Sequence, residues 1–369
     1  MKILYYTDQV YQHGGIERVL ANKINYLCQY TGHEVYLVTT EQKGKPLCYK
    51  LDEKVKKIDL GINYNRGLSY FHYRNLQKVP GHVLRLKRVI KRINPDVIIQ
   101  CNFAWDFYFL PFIATQVPKV KEFHSSRYFN FKRASSRGKS ISDRINNWVE
   151  SKFDSLVALN MDEAGFFNSN SKVSIIPNAI SFSPNSRATL KNKVAISAGR
   201  IAPVKGYDRL IDAWKQVARS FPDWELHIYG DGEKDYIAGL ENQIHELELN
   251  ANVKFMGSTK ELQDKMLDAS LYVMTSFTEC FPMVLLEAMA CGLPVVSYDC
   301  PCGPRNIIWH NQDGLLVDNG KKELLANAIV KVIEDEDYRS RMGEKARQNV
   351  LRYSSSKVMQ KWEDLFKEL

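Results

Sequence analysis

Short apolar runs of strand length alternate with segments of helical period along almost the whole chain, and this alternation limits the fold more than any other feature. In the first half, strands are predicted over 2–7, 34–40, 96–101, 119–124 and 154–159, with helical patterns over 16–30 and 82–93 between them. Strand, helix and strand in repetition mean parallel sheets covered by helices. The alternation pauses over 176–186, a polar, proline-containing stretch. It then resumes with strands over 193–198, 224–229, 253–256 and 315–317 and helices over 207–220 and 235–249. The expected fold is α/β: two Rossmann-like, doubly wound domains, with ligands at the carboxyl ends of their strands. The boundaries expected are 1–180 for the first domain and 181–353 for the second.

One unit of the second series carries the densest chemistry. Residues 277–297 read as loop, helix and strand, with Pro282 suited to a first helical turn, Gly292 to a C′ position and 293–297 β-prone. Glu279 and Glu287 stand eight residues apart, about two turns at ~3.6 residues per turn, so both can face one side. The free amides of the first turn lie between them, where an anion binds readily. Such a site can hold a sugar hydroxyl, a diphosphate and a ribose. A generic pair would be a dipole-favoured acid and a solvated one.

Two other strand ends point the same way. Arg200 and Lys205 follow the strand 193–198 with Gly199 and Gly206 on either side, and two fixed cations there can clamp a diphosphate. After the first strand, His13, Gly14 and Gly15 precede a helical pattern, a weak signal by itself. The G-x-G-x-x-G fingerprint of a nicotinamide site is missing there.

Composition closes several routes. Of the residues, 44% are hydrophobic and 25% charged, ordinary values for a soluble globular protein. The run 97–117 is broken by Gln100, Asn102, Asp106 and Pro111, so it is no membrane span, and 1–7 is too short for an export signal. Seven cysteines without C-x-x-C pairs suit a reducing cytosol and argue against structural zinc, and Cys300-Pro301-Cys302 is a poor metal candidate. The net charge of +9 is unevenly spread: residues 1–183 hold 27 Lys and Arg against 15 Asp and Glu, the rest 24 against 27. The first half is therefore at +12 and the second at −3. Arg85, Lys87, Arg88, Lys91 and Arg92 form one basic cluster, and Lys132, Arg133, Arg137 and Lys139 another. Such a surface attracts anionic partners, or is simply solvated; nucleic acid is not expected, since no binding module accompanies the charge.

Together these motifs resemble family 4 glycosyltransferases of the GT-B fold, along the chain from Met1 through its last helix. The resemblance is carried by residues 14–19 (Gly-Gly-Ile-Glu-Arg-Val), Gly199-Arg200 with Lys205-Gly206, Gly230-Asp231-Gly232, and above all the E-x7-E pattern of Glu279 and Glu287. It implies two domains facing across a cleft and a nucleotide-sugar donor. Arg200 and Lys205 would bind the diphosphate, Glu287 the ribose, Glu279 the transferred sugar, and Phe281, Met283 and Val284 would join the donor site. Gly15 would approach the donor phosphate, His124 would match the family histidine near the sugar, and base recognition would fall near Gly257 and Ser258. Cys280 stands where glycine is common, and Ala179 where the linker usually has glycine.

The chemistry follows from charge. A departing diphosphate must be stabilised, and Arg200, Lys205 and helix amides supply positive charge without an essential metal. The resemblance implies retention at the anomeric carbon. Around 282–286 and 299–305 it is to bacterial enzymes of surface polysaccharide or lipid-linked oligosaccharide assembly, so a UDP-sugar donor and a glycan or lipid-linked acceptor are expected. GDP-mannose is the alternative donor. A glycoside hydrolase would need no diphosphate clamp, a dehydrogenase would need the missing fingerprint, and a non-catalytic nucleotide-sugar sensor could lose Glu279 or His124. The tail carries Val358, Trp362, Leu365, Phe366 and Leu369 at helical spacing, and in the family the last helix, here about 354–369, returns to the first domain. Location is expected in the cytoplasm, with the basic first domain, helped by Tyr70, Phe71, Tyr73, Tyr128, Phe129 and Phe131, docking on the inner face of an anionic membrane.

Overall fold

The computed structural model describes residues 1–69, 71–138, 140–168 and 170–369. Tyr70, Lys139 and the side chain of Arg137 lie outside the described residues. The chain divides into two compact units: residues 1–179 with 355–369, and residues 180–354.

The first unit is built on a seven-stranded parallel sheet in the order β3-β2-β1-β4-β5-β6-β7. Its strands are β1 (Lys2–Thr7), β2 (Glu34–Thr39), β3 (Lys56–Asp59), β4 (Val97–Gln100), β5 (Lys119–Glu122), β6 (Ser155–Ala158) and β7 (Val173–Ile175). Successive side chains of β1 enter opposite layers, as the two-residue period of a strand requires. Ile3 and Tyr5 pack with Val35, Leu37, Val97 and Ile99 in one layer, and Leu4 and Tyr6 with Val38, Ile98 and Leu156 in the other. The helix Val79–Ile93 closes the second layer with Leu86, Ile90 and Ile93. The first layer is closed by the helix Gly15–Tyr26 and by the last helix, Ser355–Glu368, whose Val358, Met359, Trp362, Leu365 and Phe366 are all buried in it.

The second unit carries a six-stranded parallel sheet, β10-β9-β8-β11-β12-β13. Its strands are β8 (Val194–Ala198), β9 (Glu225–Tyr229), β10 (Val253–Gly257), β11 (Leu271–Met274), β12 (Val295–Asp299) and β13 (Gly314–Asp318). Its core joins Trp214 and Leu210 of the helix Tyr207–Ser220 to Leu226, Ile228, Leu271 and Val273 of the sheet.

Three strands are absent from the sequence reading. β3 is a polar edge strand (Lys-Lys-Ile-Asp), β7 has three residues, and β11 is a four-residue apolar run between a helix and a polar loop. Both sheets reverse strand order once, between β1 and β4 and between β8 and β11. These reversals are the switch points at which doubly wound sheets leave a crevice at their carboxyl edge.

Candidate functional site

In the second unit, the loops after β8 and β11 meet at the switch point. Thr275 Oγ1 donates to Lys205 O at 3.2 Å, and Phe277 N to Val204 O at 2.8 Å. Arg209 braces the junction from the helix Tyr207–Ser220: its guanidinium donates to Thr275 O and to Asn319 Oδ1 and lies 3.6 Å from the Phe277 ring centroid. Gly206 opens that helix at φ 65°, where a Cβ would stand 2.4 Å from Thr275 O. Glycine alone fits there. This bracing brings Lys205 Nζ to 2.6 Å from Glu279 Oε1, and Ser276 Oγ donates to the same oxygen at 2.7 Å. Lys205, Glu279, Val284, Ser197 and Tyr207 line one small cavity.

Glu287 is completely buried, so the solvated reading of this acid is wrong. It lies in the helix Met283–Ala290, which begins one residue after Pro282 and ends in a Schellman motif: Gly292 N bonds Met289 O at 2.9 Å and Leu293 N bonds Ala288 O at 3.0 Å, with Gly292 at φ 78°. That motif delays the next strand to Val295, two residues later than expected. The two-turn argument for Glu279 and Glu287 also needs correction. Glu279 sits in the loop before Pro282, and only Glu287 is helical. The amides of Met283 and Val284 precede the first helix bond, Leu285 N to Pro282 O at 3.1 Å, so the anion-receptive turn is Met283–Val284. The Phe281 ring is buried edge-on against Tyr353, which leaves its backbone for any ligand contact. Neither Cys280 nor Ala179 takes a positive φ, so both side chains are accommodated where glycine is common.

Arg200 is exposed, and among the described residues no ion pair engages it. Its loop is fixed from behind by Gly230-Asp231-Gly232: Gly199 N bonds Tyr229 O at 2.9 Å and Ile201 N bonds Asp231 O at 2.8 Å. A Cβ at Gly230 would stand 1.9 Å from Gly199 O, and one at Gly232 2.0 Å from Ile201 O. These glycines therefore serve loop-to-loop approach. Gly257 accepts from Gly230 N at 2.9 Å, and Gly257 and Ser258 are exposed at the end of β10.

The switch point of the first sheet opens into a pocket of about 490 Å³. Asp8 and Gln9 after β1, Asn102 and Phe103 after β4, and His124 and Arg127 after β5 line it. Gly15 lies at the entry of the helix Gly15–Tyr26, after Gly14. The Glu17 carboxylate lies over Gly14, 2.2 Å from where a Cβ would be, and accepts from Gln9 Nε2 at 2.5 Å. Burial pushes the Glu17 carboxyl up. The His124 side chain is 6% exposed and donates from Nε2 to Glu122 Oε2 at 3.0 Å. Burial alone would raise the Glu122 carboxyl; Lys23 and His124 outweigh it and hold it at about 2. Arg66 joins Glu41 at 2.8 Å to Asp8, and Arg127 Nη1 meets Glu150 Oε1 at 2.9 Å. The sequence reading gave no site role to Asp8, Glu17, Arg66, Glu122, Arg127 and Glu150. Asp8 and Glu122 could have been found as polar residues at strand ends; the partners of the others are set by tertiary packing. Among the described residues no group of three or more His, Cys, Asp or Glu side chains is placed to hold a metal, and no helix is long and apolar enough to cross a membrane.

Two doubly wound parallel-sheet units, each with polar groups converging on its switch point, make up the GT-B fold. The family described as "Glycosyl transferases group 1" matches residues 180–349, and "Glycosyltransferase Family 4" matches residues 13–183. The chain thus carries a family 4 and a group 1 glycosyltransferase domain, one after the other. A Haemophilus influenzae uncharacterized glycosyltransferase is 26% identical over 99% of both chains. The exopolysaccharide phosphotransferase SCO2592 of Streptomyces coelicolor is 37% identical over 54% of this chain, which spans only 21% of that protein. A point mutant of Staphylococcus aureus TarM, solved in complex with Fondaparinux, alpha-GlcNAc-glycerol and UDP, shares the fold with a TM-score of 0.78 over 99% of both chains, at 18% identity.

Proposed function

We propose that this protein transfers a hexose or N-acetylhexosamine from a UDP-sugar, with retention at the anomeric carbon, to a glycan or lipid-linked acceptor in bacterial cell-surface polysaccharide assembly. The observation that carries the reading is the 2.6 Å pair of Lys205 and Glu279 at the switch point of the second sheet, one helix entry away from the buried Glu287. An ammonium has three donors. One is met by Glu279, which aims the group and leaves donors for a phosphate oxygen. Lys205, Arg200 and the amides of Met283 and Val284 receive the charge that develops on the leaving diphosphate. Glu287 binds the ribose hydroxyls, Glu279 the transferred sugar, and the exposed end of β10 at Gly257 and Ser258 the base. From the first unit, His124 serves the sugar and Gly15 the donor phosphate.

Support for a UDP-sugar comes from TarM, solved with UDP, and for polysaccharide from the exopolysaccharide protein of Streptomyces. The basic, aromatic first unit supports an acceptor carried on an anionic membrane. The test is a panel of nucleotide sugars, scored by thermal stabilisation and then by nucleotide release with and without glycan acceptors. UDP-hexose or UDP-N-acetylhexosamine should stabilise the protein and release UDP faster with acceptor. Response to GDP-mannose alone would overturn the donor; binding without turnover under any acceptor would favour a sensor.

A further inference from the structure

Glu122 ends β5 deep in the first unit, and its two oxygens are engaged from both sides. Lys23 Nζ lies 2.5 Å from Oε1 and 2.6 Å from Oε2, while His124 Nε2 lies 3.0 Å from Oε2 and Cys101 Sγ 3.8 Å from Oε1. A carboxylate is acceptor-only, so the ring nitrogen facing it must carry the hydrogen. In the neutral imidazole the lone pair is then on Nδ1. Lys23 is itself confined: its ammonium lies 4.1 Å from the Trp362 ring centroid and 5.4 Å from that of Tyr5. Trp362 belongs to the last helix, so that helix reaches the histidine through two intervening side chains.

Stability alone gives little reason for this arrangement. A buried Lys–Glu pair is often no better than apolar residues of the same volume, because desolvation offsets the attraction. The orientation of the His124 ring, by contrast, needs an acceptor at that one place on the pocket wall.

We propose that Glu122 is a positioning residue that fixes His124 as the Nε2–H tautomer with Nδ1 as its acceptor, and that Lys23, held beneath Trp362, keeps the carboxylate in place. The catalytic consequence rests on the reading of His124 as a site residue; the tautomer does not.

The experiment uses the full chain, with imidazole nitrogens labelled and His124 assigned by comparison with His124→Ala. In the neutral imidazole, Nε2 should carry the proton and Nδ1 should show the shift of an unprotonated nitrogen. In Lys23→Met/Glu122→Gln, which removes both buried charges together, the two tautomers should mix. Turnover there should fall about tenfold to a hundredfold with KM little changed. In a His124→Ala background the same double change should cost nothing further. An Nδ1–H tautomer in the unmodified protein, or losses that multiply in the combined variant, would overturn the proposal. If the tautomer is as stated but His124→Ala transfers sugar at the normal rate, the assignment of His124 to the site fails, while the role of Glu122 in fixing the ring is supported.

Discussion

Lys205 Nζ and Glu279 Oε1 lie 2.6 Å apart although 74 residues separate them, because β8 and β11 are neighbours in the sheet and their loops are bonded to each other. Both groups are partly shielded from water, so the pair is a positioned charge, not a fluctuating surface contact. Lys205→Ala should lower turnover about a hundredfold, the equivalent of ~3 kcal/mol of lost stabilisation of the leaving group. Arg200→Ala should do the same with no change in Tm, since Arg200 is exposed. Normal turnover at saturating donor in either variant would remove that residue from the site.

Glu287→Gln keeps the volume of a fully buried side chain but removes its charge. If the carboxylate binds ribose hydroxyls, donor KM should rise about tenfold to a hundredfold, as expected for loss of a charged hydrogen bond worth ~1.5–3 kcal/mol. Titration with UDP alone should show the same weakening. UDP affinity unchanged, with a large drop in Tm, would make Glu287 structural.

Most strands of both sheets could be read because buried parallel strands are apolar runs with clear ends; 2–7 matches β1 to the residue. β5 was found although it holds Lys119 and Lys121, both buried. Their ammonium groups reach carbonyls at the sheet ends: Ala114 O and Val117 O for Lys119, Glu122 O for Lys121. Lys205 was legible as chemistry at a strand end and Glu279 at a helix entrance, but their pairing depends on β11, which was not read. The pairing of Glu122 could not be read, because its partner Lys23 is 99 residues away and sits in an ordinary helical pattern.

Two buried groups give stability opposing pH dependences. His82 lies between the hydroxyls of Tyr6 and Tyr64, and burial lowers it from 6.5 to about 4. The unfolded chain therefore binds the extra proton between these values, and stability falls as pH drops from 6.5 to 4. Burial raises Asp106 from 3.8 to about 6, despite the Gln100 amide that donates to it. Here the folded chain binds the extra proton, and stability rises as pH drops from 6 to 3.8. Each effect is on the order of 3 kcal/mol, so they largely cancel in the native protein. Asp106→Asn should raise stability at neutral pH and expose a steep acid loss; His82→Gln should remove that loss. Urea unfolding of both variants near pH 4.5 and 7 measures the slopes, and parallel slopes would contradict the assignment.

Trp362→Ala opens a cavity against Lys23 in the layer that the last helix shares with Ile3, Val35 and Val97. A loss of ~3–5 kcal/mol is expected, read as a lower urea midpoint for the first unit. Survival of the midpoint would mean that the helix contributes little to that core.

Membrane docking can be tested on named exposed residues of the first unit. The helix Ile141–Glu150 presents Ile141, Ile145 and Trp148 at i, i+4 and i+7, and they are 79%, 47% and 55% exposed; Phe112 stacks on Trp148 at 5.2 Å. Phe71, Tyr73, Phe129 and Phe131 are exposed as well, so these aromatics are not core. Exposed Lys87, Arg88, Lys91 and Arg92 add the positive charge that acidic lipid attracts, at ~1 kcal/mol for each well-placed cation. A helix with an exposed apolar face suits a headgroup surface better than a soluble acceptor. Co-sedimentation at low salt should recover the protein with vesicles containing acidic lipid and leave it in the supernatant with neutral ones. Ile141→Ser with Trp148→Ser should weaken recovery by removing apolar contact, and Lys87→Glu with Lys91→Glu by removing charge. Neither pair should alter nucleotide release from the donor, whose site is assigned mainly to the second unit and includes none of these four residues. Equal recovery in the supernatant with both vesicle types would leave the basic surface to a soluble anionic acceptor.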